Sequence, residues 1–201
     1  DYSWLKEVHS QVLQMSIRNL DNAYTNFFKK RADFPKFKKK SNRQSFQYPQ
    51  GVKIKGNKIF LPKIGWVNYF NSRDFSGDIK TVTVTKTPSD KYFVSILVDT
   101  KEDKPVKKPI LEKTSVGLDF GVKDLVITSD GVVFENQKHF QKMKSKLRVE
   151  QRSLSRKQKG SNKWHKQRLI VAKLYEKVTN QRLDYLHKIS TQLVNEYDTI
   201  C

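Results

Sequence analysis

The sequence predicts a mixed α+β chain: an N-terminal helix, then a small β-barrel, then an α/β segment that opens as a three-strand meander. Three observations predict it. Apolar residues recur at helical spacing within residues 1–31. Six short strand-like runs, separated by Gly-, Pro- and Asn-containing turns, fill residues 44–100. Three more short apolar runs at 115–135 are followed by long basic patterns of helical period.

In residues 1–31, Ser10 is the expected N-cap. Leu13, Ile17, Leu20, Tyr24 and Phe27 follow at spacings of four and three, which predicts one apolar stripe packing on its own domain. Residues 29–43, KKRADFPKFKKKSNR, carry eight Lys or Arg and only one acid, Asp33. Like charges at that density repel, so the segment is either a solvated tether or a nucleic-acid contact. Phe34 and Phe37 set among the lysines favour the contact, with cations on phosphates and rings against bases or sugars.

The barrel strands are expected at Ser45–Tyr48, Val52–Ile54, Lys58–Leu61, Trp66–Phe70, Ile79–Thr85 and Lys91–Val98. In the Ile79–Thr85 strand, alternation sets Thr81, Thr83 and Thr85 on one face and Lys80, Val82 and Val84 on the other. Such a row of hydroxyls could face a groove, and Thr is also simply a good strand former. Residues 101–114, charged and Pro-containing, read as a linker with a domain boundary.

The stretch Ser115–Glu135, SVGLDFGVKDLVITSDGVVFE, organises the rest. It gives three short strands with Asp119 inside the first. Two readings of that acid are open: a cap on the following Gly turn, or a ligand to a divalent metal. Asp124, Asp130 and Glu135 are weaker acidic candidates in the turns and at the third strand's end. Residues 136–182 carry fifteen Lys or Arg against Glu150 and Glu176 only. Phe140, Met143, Leu147 and Leu154 give one helix its apolar side; Ile170, Leu174 and Val178 give a second, starting near Lys163. The two form a basic hairpin. Leu186, Ile189 and Leu193 continue the pattern inward, His187 lies on the surface, and a strand begins at Tyr197–Cys201.

Composition bounds the partner. The 201 residues hold 40 Lys+Arg against 20 Asp+Glu, a net charge of +20. That excess calls for a polyanion, with nucleic acid first and an anionic membrane second. No apolar run is long enough to span a bilayer, so no membrane is expected. Cys201 is the single cysteine, which fits a reducing, cytoplasmic setting. The first residue is not Met and the last strand has no terminator, so an internal fragment of a longer protein is expected.

Three antiparallel strands with Asp in the first, then helix, then a further strand, is the order of an RNase H-like fold. The motif VGLDFGVKDLVITSDG resembles the first RuvC motif of TnpB proteins, transposon-encoded, RNA-guided nucleases related to type V CRISPR effectors. The segments ADFPKFKKK, FQYPQGVKI, IFLPKIGWV, LSRKQKGSNKW and NQRLDYLHKIS resemble that family's recurring segments in its order. The resemblance implies a recognition-lobe helix at 1–34, a wedge-like β-barrel at 35–105, a linker at 106–112 and an incomplete RuvC-like domain at 113–201. It implies that Asp119 is the first catalytic carboxylate and a ligand of a two-Mg²⁺ site. The next Glu, the last catalytic Asp and CxxC pairs for a structural Zn²⁺ would fall beyond Cys201. Guide RNA and target double-stranded DNA are the implied partners. Lys36, Phe37 and Lys38, with Lys40, Thr83 and Thr85 as looser matches, would hold RNA or read a short DNA motif. Arg148, Arg152, Arg156, Lys157, Lys163, Lys166 and Arg168 would lie along the guide–target duplex. The implied activity is RNA-guided DNA cleavage in the intact parent. The alternatives are a cleavage-inactive guided repressor and a DNA transposase of the same family.

Overall fold

The computed structural model describes residues 2–38, 44–103, 106 and 109–201. The chain divides into two compact units, Asp1–Asp103 and Lys104–Cys201.

In the first unit, helix α1 spans Ser10–Phe28 after a short 3-10 turn at Ser3–Glu7. The cap is His9 rather than Ser10: its Nδ1 accepts from the Gln11 amide at 3.3 Å. The predicted stripe is only partly used. Leu13, Tyr24 and Phe27 are half-buried, whereas Ile17 and Leu20 are 68% and 54% exposed, and the buried residue of the helix is Val12, outside the predicted stripe. The helix packs on strand β1, Gln44–Tyr48. Five strand residues cover roughly 17 Å, and nineteen helical residues rise roughly 28 Å, so much of the stripe runs past its partner. The helix end finds other cover. The Phe34 ring stands edge-on to Tyr24 and Phe27, with centroids 5.8 and 5.3 Å apart.

The six strands fall where the sequence places them, but they do not close. Strands β1, β5 (Asp78–Lys86) and β6 (Tyr92–Asp99) make one antiparallel sheet in the order β1-β5-β6. Strands β2 (Lys53–Lys55), β3 (Lys58–Leu61) and β4 (Gly65–Asn68) make another, in the order β2-β3-β4. The expected β-barrel is therefore corrected to two three-stranded sheets. A barrel needs tilted, staggered strands hydrogen-bonded round the full circuit, and strands of three and four residues end too soon to bridge to the other sheet. Side chains join them instead. Ile59 and Leu61 of one sheet, Tyr48, Val82 and Val84 of the other, and Val12 of α1 form one buried cluster. Gly77 turns the chain into β5 at φ +116°, where a Cβ would overlap the Asp99 carbonyl.

The second unit begins with β7 (Ser115–Val116) and β8 (Leu118–Phe120), two halves of one extended stretch. Strands β8, β9 (Asp124–Thr128) and β10 (Val133–Glu135) form the antiparallel meander in the order β10-β9-β8. On the other side of the stretch, β11 (Thr199–Ile200) pairs parallel with β7. That ladder continues one step further: the Leu118 amide donates to the Cys201 carbonyl and the Cys201 amide to the Val116 carbonyl, each at 2.9 Å. Helices α2 (His139–Ser155) and α3 (Asn162–Glu196) pack as a hairpin between β10 and β11 in the chain. No Gly or Pro lies between Asn162 and Glu196, so α3 runs unbroken for 35 residues. Leu147, Val171, Val178, Ile189 and Leu193 are buried. The inward register of α3 differs from expectation, since Val171 is buried while Ile170 is 45% exposed. Buried Gln167 explains the turn of the face. Its Nε2 donates to the Glu150 carboxylate at 2.6 Å and to the Glu150 carbonyl at 3.2 Å, tying α3 to α2.

Candidate active-site carboxylate and nucleic-acid interface

Asp119 sits mid-β8, in register with Ile127 of β9, which in turn faces Val133 of β10. Directly paired residues share a sheet face, so the carboxylate stands on an open face beside two exposed aliphatic side chains. The capping reading fails on geometry. The Gly121 amide donates to the Leu125 carbonyl, and no hydrogen bond or ion pair reaches the Asp119 carboxylate among the described residues. The acid is thus held in place by strand pairing alone and left free at its oxygens.

It is also alone. Among the described residues no cluster of three or more His, Cys, Asp or Glu could hold a metal ion. Asp124 and Glu135 face each other across β9 and β10. Asp130 is engaged by Tyr197 and Ser129. A two-metal site does not fit the residues present here, because one carboxylate cannot bind two divalent ions and leave room for water and phosphate.

The predicted cationic contacts lie on several surfaces. Lys36 and Lys38 are exposed, and the Phe37 ring is 99% exposed. Lys40 lies outside the described residues. Thr83 is half-buried at the centre of β5, whereas Thr85 is 3% exposed and so offers no hydroxyl to an outside partner. The alternation of β5 is reset by a register shift between Ile79 and Thr81. Arg148, Arg152 and Arg156 on or just after α2, and Lys163 and Lys166 on α3, are exposed. Arg168 is half-buried. Lys157 is drawn back onto α2, where its Nζ donates to the Ser153 hydroxyl at 2.8 Å and the Ser153 carbonyl at 3.4 Å. There it complements the helix's negative C-terminal end. The sequence reading missed two features: the Glu150–Gln167 tie and a hydrogen bond from the Tyr197 hydroxyl to Asp130 at 2.7 Å. Neither pair carries a motif. Among the described residues no helix is long and apolar enough to cross a membrane.

Comparison with known proteins adds a family. The OrfB_IS605 family profile, described as a probable transposase, matches residues 95–201. A protein of Escherichia coli (strain K12) named "Putative RNA-guided DNA endonuclease InsQ" is 45% identical over 199 residues, covering 98% of this chain and 48% of its own length. A Streptomyces pristinaespiralis protein, whose name is the same but for the final word, is 34% identical over 205 residues, covering 100% of this chain and 50% of its own length. The chain thus spans about half the length of the curated relatives it matches. With its LDFG strand, its basic helix hairpin and these matches together, the chain belongs to the OrfB_IS605 family of transposon-encoded proteins, the TnpB group.

Proposed function

We propose that this chain is the guide- and target-binding half of an RNA-guided DNA endonuclease, and that Asp119 contributes one carboxylate to its cleavage site. The observation that carries the proposal is Asp119 itself: an acid inside a strand, exposed, and without a partner among the described residues. Its strand lies between β9 on one side and the parallel β11 on the other. That arrangement supports an RNase H-like, RuvC-type reading of 113–201, because further acids delivered from the β11 side would meet Asp119. The remaining ligands of a two-Mg²⁺ site, and any Zn²⁺-binding pairs, would come from outside these 201 residues.

On this reading α1 and residues to 34 act as the recognition-lobe helix, the two sheets of 35–105 as the wedge, and 106–112 as the linker. Lys36, Phe37, Lys38 and Thr83 contact guide RNA or the DNA beside the target. Arg148, Arg152, Arg156, Lys163 and Lys166 lie along the guide–target duplex, where the protein reads charge and shape while base pairing reads sequence. The net charge of +20 supports such a partner.

The test is Asp119→Asn in the full-length protein loaded with guide RNA. Cleavage should be lost and target binding kept. A matching loss of binding would show that Asp119 is structural. The family description favours a second reading, an ordinary DNA transposase. Cutting that proceeds without RNA would support it and overturn the guided one.

A further inference from the structure

Resting on the nuclease reading, we infer that Tyr197 and Asp130 form a latch that fixes where β11 lies beside the Asp119 strand, so both are positioning residues for the carboxylate site. Few residues set that pairing. Thr199 pairs with Ser115 and Ile200 with Val116, and backbone bonds from the Asp198 amide to the Thr114 carbonyl at 3.0 Å and between Leu118, Cys201 and Val116 at 2.9 Å extend the ladder at its two ends. A ladder of that length rests on few hydrogen bonds, each modest in net worth. A second connection crosses the same edge. Tyr197, the residue that ends α3, donates its hydroxyl to Asp130 Oδ2 at 2.7 Å. Ser129 donates its hydroxyl to Asp130 Oδ1 at 3.3 Å, and the same Ser129 Oγ accepts from the Gly117 amide at 3.1 Å. The Ser129 amide closes the loop by donating to the Gly117 carbonyl at 2.9 Å.

Gly117 is the residue at which one extended stretch changes partners, from β11 through β7 to β9 through β8. The relay therefore runs from the exit of α3, through the β9–β10 turn, to a point two residues before Asp119. It clamps both neighbours of that strand to one carboxylate. In a chain with twice as many cations as acids, Asp130 takes a tyrosine hydroxyl and a serine hydroxyl. Donation to Asp130 is also the largest cause of the upward displacement of the Tyr197 hydroxyl's pKa from its ordinary value. Any group that the chain delivers from the β11 side reaches Asp119 at a height that this latch sets.

Amide hydrogen exchange on the 201-residue chain tests the latch directly. Tyr197→Phe and Asp130→Ala should each speed exchange at the Leu118 and Cys201 amides about three- to tenfold, the worth of one net hydrogen bond. Asp130→Asn, which keeps an acceptor oxygen, should recover part of the protection. Exchange at Val82, Val84, Val171 and Val178 should stay at the unaltered rate. No change at Leu118 and Cys201, or an equal rise everywhere, would overturn the latch. The second arm is single-turnover cleavage by the full-length guide-RNA complex. Tyr197→Phe should lower the rate with target binding intact, and Asp130→Asn should restore part of it. An unaltered rate beside faster local exchange would leave a structural latch and overturn the positioning role. If the unaltered complex does not cleave, the nuclease reading falls and the positioning role with it, whatever the exchange data say of the latch.

Discussion

The basic hairpin can be tested by its salt dependence. Arg148 and Arg152 are four apart on α2, and Lys163 and Lys166 three apart on α3, so each pair shares a face of its own helix. All four are exposed. Replacing the four by Gln removes four positive charges and keeps side-chain length. If each neutralises one phosphate, each contributes about 0.9 to the slope of log affinity against log salt. The four together contribute about 3.6, which over a fourfold rise in salt is about two orders of magnitude of salt-driven weakening. Fluorescence anisotropy with a labelled RNA–DNA duplex of about 20 base pairs reads the slope directly. Lys80 and Lys188 are the control. They are held by Asp99 at 3.2 Å and by Asp184 at 2.7 Å, so Lys80→Gln with Lys188→Gln should change the slope far less. A slope unaltered by the fourfold variant, or altered equally by the control, would refute the reasoning and make the hairpin a merely solvated face.

Three further outcomes follow from the packing. Ile59 is fully buried where the two sheets meet, so Ile59→Ala should lower stability by about 2–5 kcal/mol in chemical denaturation; a loss below about 1 kcal/mol would mean that the sheets do not share that core. Gln167→Ala leaves half-buried Glu150 without its amide donor and should cost about 1–3 kcal/mol, with Gln167→Glu costing more through like-charge repulsion. The Tyr197 hydroxyl is held above its ordinary pKa by its hydrogen bond to Asp130 first, then by partial burial, then by the charges of Asp130 and Glu196. A raised pKa contributes stability below the unfolded value of about 10 and loses it as pH rises through the folded value. Protection of the Leu118 amide should therefore fall above about pH 10, and should fall less in Tyr197→Phe.

Much of this was legible because it is local. The six strands of the first unit come from alternation and turn residues, and both basic helices from their period; the structure adds the cap of α3, where the Ser161 Oγ accepts from the Trp164 amide at 3.1 Å. Asp119 was legible because an acid inside an apolar strand is costly unless it is exposed or used. What failed depends on distance along the chain. The spacing of Leu13, Ile17 and Leu20 predicts a stripe, but the length of β1 decides how much of it is covered. Ile170 and Val171 are both apolar neighbours, and the face that turns inward is the one Val171 shares with buried Gln167, which bonds back to Glu150, and with Val178. Tyr197 and Asp130 lie 67 residues apart and meet because β11 folds back parallel to β7. Strand signals likewise carry no account of closure, which is why two open sheets were read as a barrel.

Asp119 separates fold from function more sharply than any other residue here. Its oxygens have no partner among the described residues and its side chain is exposed, so the folded chain gains nothing from its charge. Its cross-strand neighbour is the aliphatic Ile127. Asp119→Asn keeps the volume and removes the charge, and should change stability by no more than about 0.5 kcal/mol, as surface substitutions do. An acid that merely capped a turn would lose a charge-assisted hydrogen bond in the same variant, about 1.5–3 kcal/mol. Thermal unfolding of the variant chain thus decides between the two readings before any nuclease assay is run. A loss of that larger size would return Asp119 to the fold. An unmoved transition leaves the carboxylate with no structural task, and the cleavage assay then has a residue whose only possible cost is chemical.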